Sequence, residues 1–122
     1  MEIRLAKDTD GVRIARLLHA DEAEYDKVFP YWVIAEKDGN IVAALQMSPS
    51  LPVGKVEQLV ITEEAGDALH ALIDYAIAYL KHVGCKKIMA YVPFKQKKVK
   101  RMYQKEFKAA VTNSGSALVW RI

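Results

Sequence analysis

The sequence predicts a layered α/β domain in which helices pack on a mixed sheet of about seven strands, and three observations carry that prediction. Seven short runs have strand-like apolar patterning and three longer runs have helical periodicity. Two of the strand-like runs are joined by Asp38-Gly39, a dipeptide that accepts positive φ at low cost and so marks an antiparallel hairpin. The longest helical run lies between two strand-like runs, which implies a right-handed crossover and a parallel pair. Hairpin and crossover together make the sheet mixed.

At 122 residues the chain is the length of one domain, 1–122, able to bury roughly two-thirds of the surface its unfolded form exposes. With 52% hydrophobic and 27% charged residues, it has the balance of a soluble globular protein. No apolar run is long enough to span a bilayer, and the opening MEIRLAKDTD lacks the apolar stretch of a signal peptide. A cytoplasmic location with no membrane partner is the expectation. One cysteine, Cys85, cannot form an internal disulfide, and the three histidines, His19, His70 and His82, belong to no zinc-type Cys/His motif, so no metal is expected.

Taken in order, EIRLAK (2–7) alternates like a half-buried strand, and Asp8, Thr9 and Asp10 offer N-caps for a helix that would bury Ile14, Leu17 and Leu18. An acidic segment, DEAEYDK, precedes the hairpin YWVIAEKDGNIVAALQM. A Pro-rich break over 48–53 then separates the hairpin from KVEQLVIT, whose nearly continuous apolar end suits the sheet interior. The main helix is expected from about Glu64 to Val83, with Leu69, Leu72, Ile73, Ala76, Ile77 and Leu80 on one face. Ala71, Tyr75, Ala78 and Tyr79 make the other side apolar too, which predicts cover on both sides. Gly84 supplies a left-handed C-terminal residue. The strand KKIMAYV follows, then a basic helix near 95–105 after Pro93, and finally the strands FKAAVT and SALVWRI around Asn113-Ser114-Gly115.

Charge is unevenly spread. Net charge is +3, but from Lys86 to Lys108 lie nine of the 18 Lys and Arg residues and one acid, Glu106. That stretch can meet a phosphate-bearing cofactor, bind nucleic acid, or only stay hydrated. The lysine-rich helix within it lacks aromatic interleaving beyond Phe94 and Tyr103, which weighs against nucleic acid.

Over its whole length the element order β-α-β-β-β-α-β-α-β-β resembles the GNAT superfamily of acyl-CoA N-acyltransferases. IRLAKDTDGVRIARLL is similar to the family's first strand and helix, and IAEKDGNIVAALQM to its central hairpin. VEQLVI resembles the fourth strand, which commonly reads acid, polar, Leu, any residue, Val; the acid here is Glu57. The resemblance implies a V-shaped splay between the fourth and fifth strands, where acyl-CoA would bond the main chain at Leu59, Val60 and Ile61. It also implies a pyrophosphate loop at Glu63-Glu64-Ala65-Gly66-Asp67-Ala68, feeding a helix N-terminus that attracts anions. Gly66, Ala68 and Leu69 match the family pattern, and Asp67 lies between the first two. Glu63 stands where the family has Gln or Arg, and the loop is about three residues shorter. The same acids also suit the first turn of a helix.

A second signature, Asn-x-x-Ala-x-x-Leu-Tyr followed by Gly-Phe, is matched by Gln96 to Phe107, with Gln96 in place of Asn and no glycine. The resemblance thus implies Tyr103 as the acid that protonates departing CoA and Glu57 as the base for the incoming amine, since a phenol can give and a carboxylate can take a proton. From the residues alone, Tyr103 also fits a helix-end core position and Glu57 an exposed strand position. The implied activity is acetyl-CoA-dependent N-acetylation in a ternary complex, with acetyl-CoA as a weakly bound cosubstrate. The implied acceptor is a small-molecule or protein amine, drawn in by the acidic residues 21–26. A binding module without CoA, a nucleic-acid-binding protein and a homodimer stay open as alternatives. Cys85, between Gly84 and two lysines, reads as a packing residue or an activated thiol.

Overall fold

The computed structural model describes residues 1–20, 31–66, 68–91, 101, 104–105, 110–111 and 117–122. Its strands are β1 (Glu2–Leu5), β2 (Trp32–Lys37), β3 (Asn40–Ser50), β4 (Val53–Ile61), β5 (Lys87–Tyr91), β6 (Ala110–Val111) and β7 (Ala117–Arg121). They form one sheet in the order β1-β2-β3-β4-β5-β7-β6, antiparallel throughout except for β4 and β5. The α-helices are α1 (Gly11–Ala20) and α2 (Ala68–His82). The expected mixed seven-stranded sheet and the interior place of the fourth strand are both observed.

The two helices take opposite faces. On one face, Ile14 and Leu18 of α1 bury against Trp32, Ile34, Ile41, Ala44 and Val60. On the other, Leu72, Ile73, Ala76 and Leu80 of α2 bury against Val33, Ala43, Leu45, Met47, Val56 and Leu59. Local chemistry sets the joints between these elements. Asp38 and Gly39 both take positive φ (52° and 81°), as a tight hairpin turn requires. Gly84 (φ 108°) ends α2: its amide donates to the Lys81 carbonyl and that of Cys85 to Leu80, which satisfies two carbonyls the helix would leave open.

Four details differ from the sequence expectation. A 3₁₀ turn over Asp8–Asp10 precedes α1, and Asp10 caps by reaching back, accepting from the Lys7 amide at 2.7 Å. The Pro-rich break is a second hairpin, with only Leu51 and Pro52 between β3 and β4. Pro49 lies inside β3 opposite Gly54, where no cross-strand Cβ meets its ring. The main helix begins at Ala68 rather than near Glu64. Ala71 and Ala78 are exposed and Tyr75 and Tyr79 half-buried, so α2 is covered on one face only. Alanine favours helix at exposed positions too, which is why the second side looked apolar in sequence.

One polar network ties β1, α1 and the first hairpin together. Asp10, 1% exposed, accepts from Arg4 Nη1 (2.8 Å) and Arg13 Nη2 (2.6 Å). Glu36 lies 2.9 Å from Arg13 Nη2, and Arg13 Nη1 donates to the Gly39 carbonyl. The Arg4 hydrogen bond, then those from Lys7 and Arg13, hold the Asp10 carboxyl well below the usual carboxylate range although burial opposes this.

Candidate functional site

The site is built on β4. One edge of this strand pairs with β3 from Val53 to Ile61, while the other pairs with β5 only from Val53 to Val56, where Val56 faces Ala90. Among the described residues, which on the β5 side end at Tyr91, no β4–β5 pair follows Val56 and Ala90, in keeping with the splay between neighbouring parallel strands that the sequence resemblance implied. A bulge follows the last of these pairs. Gln46 faces Gln58 and Met47 faces Val56, so Glu57 is an extra residue with no partner in register. A bulge bends and twists its strand, and here the bend comes just past the last described β4–β5 pair. It also lets Val56 and Leu59, three apart, enter the same core beneath α2.

The end of β4 is pinned rather than loose. Thr62 donates both its amide (3.0 Å) and its hydroxyl (2.8 Å) to the Val42 carbonyl of β3. With Thr62 bonded towards β3, the alternation of main-chain groups aims Ile61 at the edge facing β5 and Val60 at β3. After Thr62 comes a 3₁₀ turn, Glu63–Ala65, anchored by the fully buried Ala65. Gly66 then takes φ 55° and ψ −122°, a conformation that L side chains rarely adopt, and α2 starts at Ala68. A Cβ at Gly66 would meet nothing within 4 Å, so the backbone there is constrained while the space beside it is open. Beside that space stands the N-terminus of α2, whose first amides have no intrahelical partner and whose dipole favours an anion.

The sequence-predicted residues fall as follows. Leu59 and Val60 are buried, Ile61 and Glu57 are half-buried, Gly66 is exposed, Ala68 is buried and Leu69 packs against the core under α2. Asp67, Gln96 and Tyr103 lie outside the described residues, as do the acidic residues 21–26. Of the basic helix, Arg101, Gln104 and Lys105 are described, helical and exposed. Glu63 and Glu64 are not in the first turn of α2 but in the separate 3₁₀ turn before it, both exposed, so water screens their charge on this approach. Cys85 is buried, which pushes its thiol pKa up, as suits a packing residue rather than a nucleophile.

Two features were missed from sequence. Thr62 is one, since nothing local announces that a threonine after a strand will bond a carbonyl 20 residues away. The other is a row of polar side chains. Trp32 faces Gln46 across β2 and β3, and Gln46 faces Gln58 across β3 and β4. Alternation with Ile34, Ala44 and Val60 puts all three on the α1 face of the sheet. Trp32 Nε1, Gln46 Nε2 and Oε1, and Gln58 Oε1 are buried without a hydrogen-bond partner. A glutamine inside each of the apolar runs IVAALQM and VEQLVI was the available signal.

Comparison with known proteins bears on this geometry. A family model described as "Acetyltransferase (GNAT) family" matches residues 5–108. A search of curated proteins finds no match. Among solved structures, Ard1 from Thermoplasma volcanium superposes with a TM-score of 0.81 at 13% identity, covering 99% of this chain and 97% of its own. A probable acetyltransferase from Staphylococcus epidermidis does so at 0.79 and 14%, covering 98% of each chain. Diaminobutyrate acetyltransferase EctA from Paenibacillus lautus, solved with L-2,4-diaminobutyric acid and coenzyme A, gives 0.74 and 17%, covering 91% of this chain and 78% of its own. At such identities these likenesses show a shared fold.

Proposed function

Because the chain belongs to the GNAT acetyltransferase family, we propose that it is an N-acetyltransferase that moves an acetyl group from acetyl-CoA to an amine in one ternary complex. The observation that carries this reading is a parallel β4–β5 pair whose last described partners are Val56 and Ala90, with β4 running on to Ile61 and Gly66 following at the N-terminus of α2. A splayed strand offers main-chain groups to an extended pantetheine-like chain, and the helix N-terminus offers donors to its pyrophosphate. The open space at Gly66 fits a phosphate approaching the backbone closely. EctA, of the same fold, was solved with coenzyme A and a diamino acid, which supports this use of the scaffold.

Acetyl-CoA supplies an activated thioester carbonyl. Glu57, at the bulge where the strands part, takes a proton from the incoming ammonium through water, so that the neutral amine can attack. The C–N bond forms, the C–S bond breaks, and Tyr103 returns a proton to the departing thiolate. Leu59, Val60 and Ile61 line the acyl-CoA chain, and Gly66, Asp67, Ala68 and Leu69 the pyrophosphate. Gln96 is assigned to the cofactor by the family pattern. Calorimetry with acetyl-CoA tests the reading: heat of binding and release of free thiol with an amine are expected. Absence of both at millimolar cofactor would exclude the enzyme.

A second reading has one observation in its favour. Glu63 and Glu64 place two carboxylates just before Gly66, and a family member that no longer binds CoA and acts as a binding module could carry them there. The same calorimetry separates the two.

A further inference from the structure

Like charges directly opposite one another in an antiparallel pair repel and destabilise the sheet. Lys87, the first residue of β5, stands opposite Arg121, the last of β7. Their Cα atoms are about 5 Å apart, and both residues are exposed. One strand over, Lys55 of β4 is in register with Met89, two residues along from Lys87 and so about 8 Å from it. Three neighbouring strands, β4, β5 and β7, thus each bring a cation to one place.

All three cations lie on the same face. Val56, Ile88, Ala90, Leu118 and Trp120 enter the core beneath α2, so alternation puts Lys55, Lys87 and Arg121 on the opposite face, together with Met89 and Val119. Val53 joins them, because its neighbour Gly54 abuts Leu80 of α2. Val53, Met89 and Val119 are half-buried, and α1 covers this face only over β2, β3 and the far end of β4. The ion pairs among the described residues engage Arg4, Arg13 and His70, not these three cations. The patch is also separate from the proposed cofactor site. Val53 and Lys87 begin their strands, whereas Ile61 ends β4 about 25 Å away and Gly66 lies beyond it.

The composition of the patch selects among polyanions. A nucleic-acid backbone would satisfy the cations and offer nothing to Val53, Met89 and Val119. A protein surface that carries carboxylates among apolar side chains meets both kinds of residue. The neighbouring sequence adds to the attraction, since nine Lys and Arg residues and one acid lie between Lys86 and Lys108.

We infer that the face bearing Lys55, Lys87 and Arg121, with Val53, Met89 and Val119 beside them, docks an acidic segment of a partner protein. This surface is distinct from the acyl-transfer cleft, and the inference stands whether or not the chain binds acetyl-CoA.

Fluorescence anisotropy on the whole protein tests it, with a fluorescein-labelled peptide that alternates Glu with Leu, its counterpart that alternates Lys with Leu, and a labelled DNA duplex. The Glu peptide is expected to bind, less tightly as salt rises, and the Lys peptide not to bind. Lys87→Glu with Arg121→Glu is expected to weaken the Glu peptide at least about tenfold. Should that double variant fail to fold, Lys87→Gln decides: it is expected to weaken the peptide about threefold and, by relieving the repulsion, to raise the melting temperature. A Glu peptide that does not bind, binding unchanged in the folded variants, or a duplex held more tightly than the peptide overturns the inference. So does a lower melting temperature in Lys87→Gln, which would mean that an acid of this chain already holds the lysine.

Discussion

Two polar clusters sit on the same face of the same sheet, and one is fully partnered while the other is not. Asp10, Arg4, Arg13 and Glu36 share hydrogen bonds and ion pairs at 2.6 to 3.6 Å around a buried carboxylate. Trp32 and Gln46 are buried and Gln58 is half-buried, with four polar atoms of the three unpaired. The first joins β1, α1 and the hairpin, far along the sheet from the splay. The second ends at the splay. A satisfied cluster contributes to folding, and an unsatisfied one costs stability.

The sharpest way to break this comparison is at Glu57, beside the open end of the unpaired row. Glu57→Gln is expected to lower kcat by roughly a hundred to ten thousandfold, with acetyl-CoA affinity and thermal stability unchanged. A variant as active as the parent, followed by thiol release, would remove Glu57 from the reaction.

Next in size is the partnered cluster. Asp10→Ala leaves two arginines without their shared carboxylate and is expected to cost about 3 kcal/mol, the low end for a buried pair because Arg13 is partly solvated. Denaturant melts measure it, and the acetyl-CoA affinity of the folded fraction should not move. The sign of the pH dependence follows from the lowered pKa: Asp10 stabilises fully above the unfolded carboxylate value of about 4, and the contribution is lost as pH falls below it. In the variant the acid limb of the stability profile should be shallower.

Smaller, and opposite in sign, is the effect expected at the unpaired row. Gln46→Met should raise stability, by up to about 2 kcal/mol, because it removes two orphaned atoms and keeps the volume. A loss in the same melts would mean that the glutamine has a structural partner and that the two clusters are alike. The smallest effect belongs to the loop: Glu63→Gln with Glu64→Gln should tighten acetyl-CoA binding roughly two- to fivefold at low salt and less at high salt, since both acids are exposed. No change in titrations at either salt would place the pyrophosphate elsewhere.

Much of the fold was legible because its signals are local. The Asp38-Gly39 turn, the αL stop at Gly84, the burial of Ile14 and Leu18, and the interior fourth strand each follow from residues within one helical or strand period. The helix start was misread for an equally local reason: Glu63 and Glu64 suit a first turn, but buried Ala65 and the positive φ of Gly66 divide the segment in two. Pro49 looked like a break because its opposite, Gly54, arrives from another strand.

What the sequence determined by itself was the kind and order of the elements, and through them the family, since periodicity and turn chemistry act over a few residues. The tertiary structure decided that β4 pairs with β5 over Val53 to Val56, that Glu57 is the extra residue just past those pairs, and that Trp32, Gln46 and Gln58 stand in one row. Those facts depend on register between strands, and register is set by how two faces of a sheet fill against α1 and α2 together, which no single segment encodes.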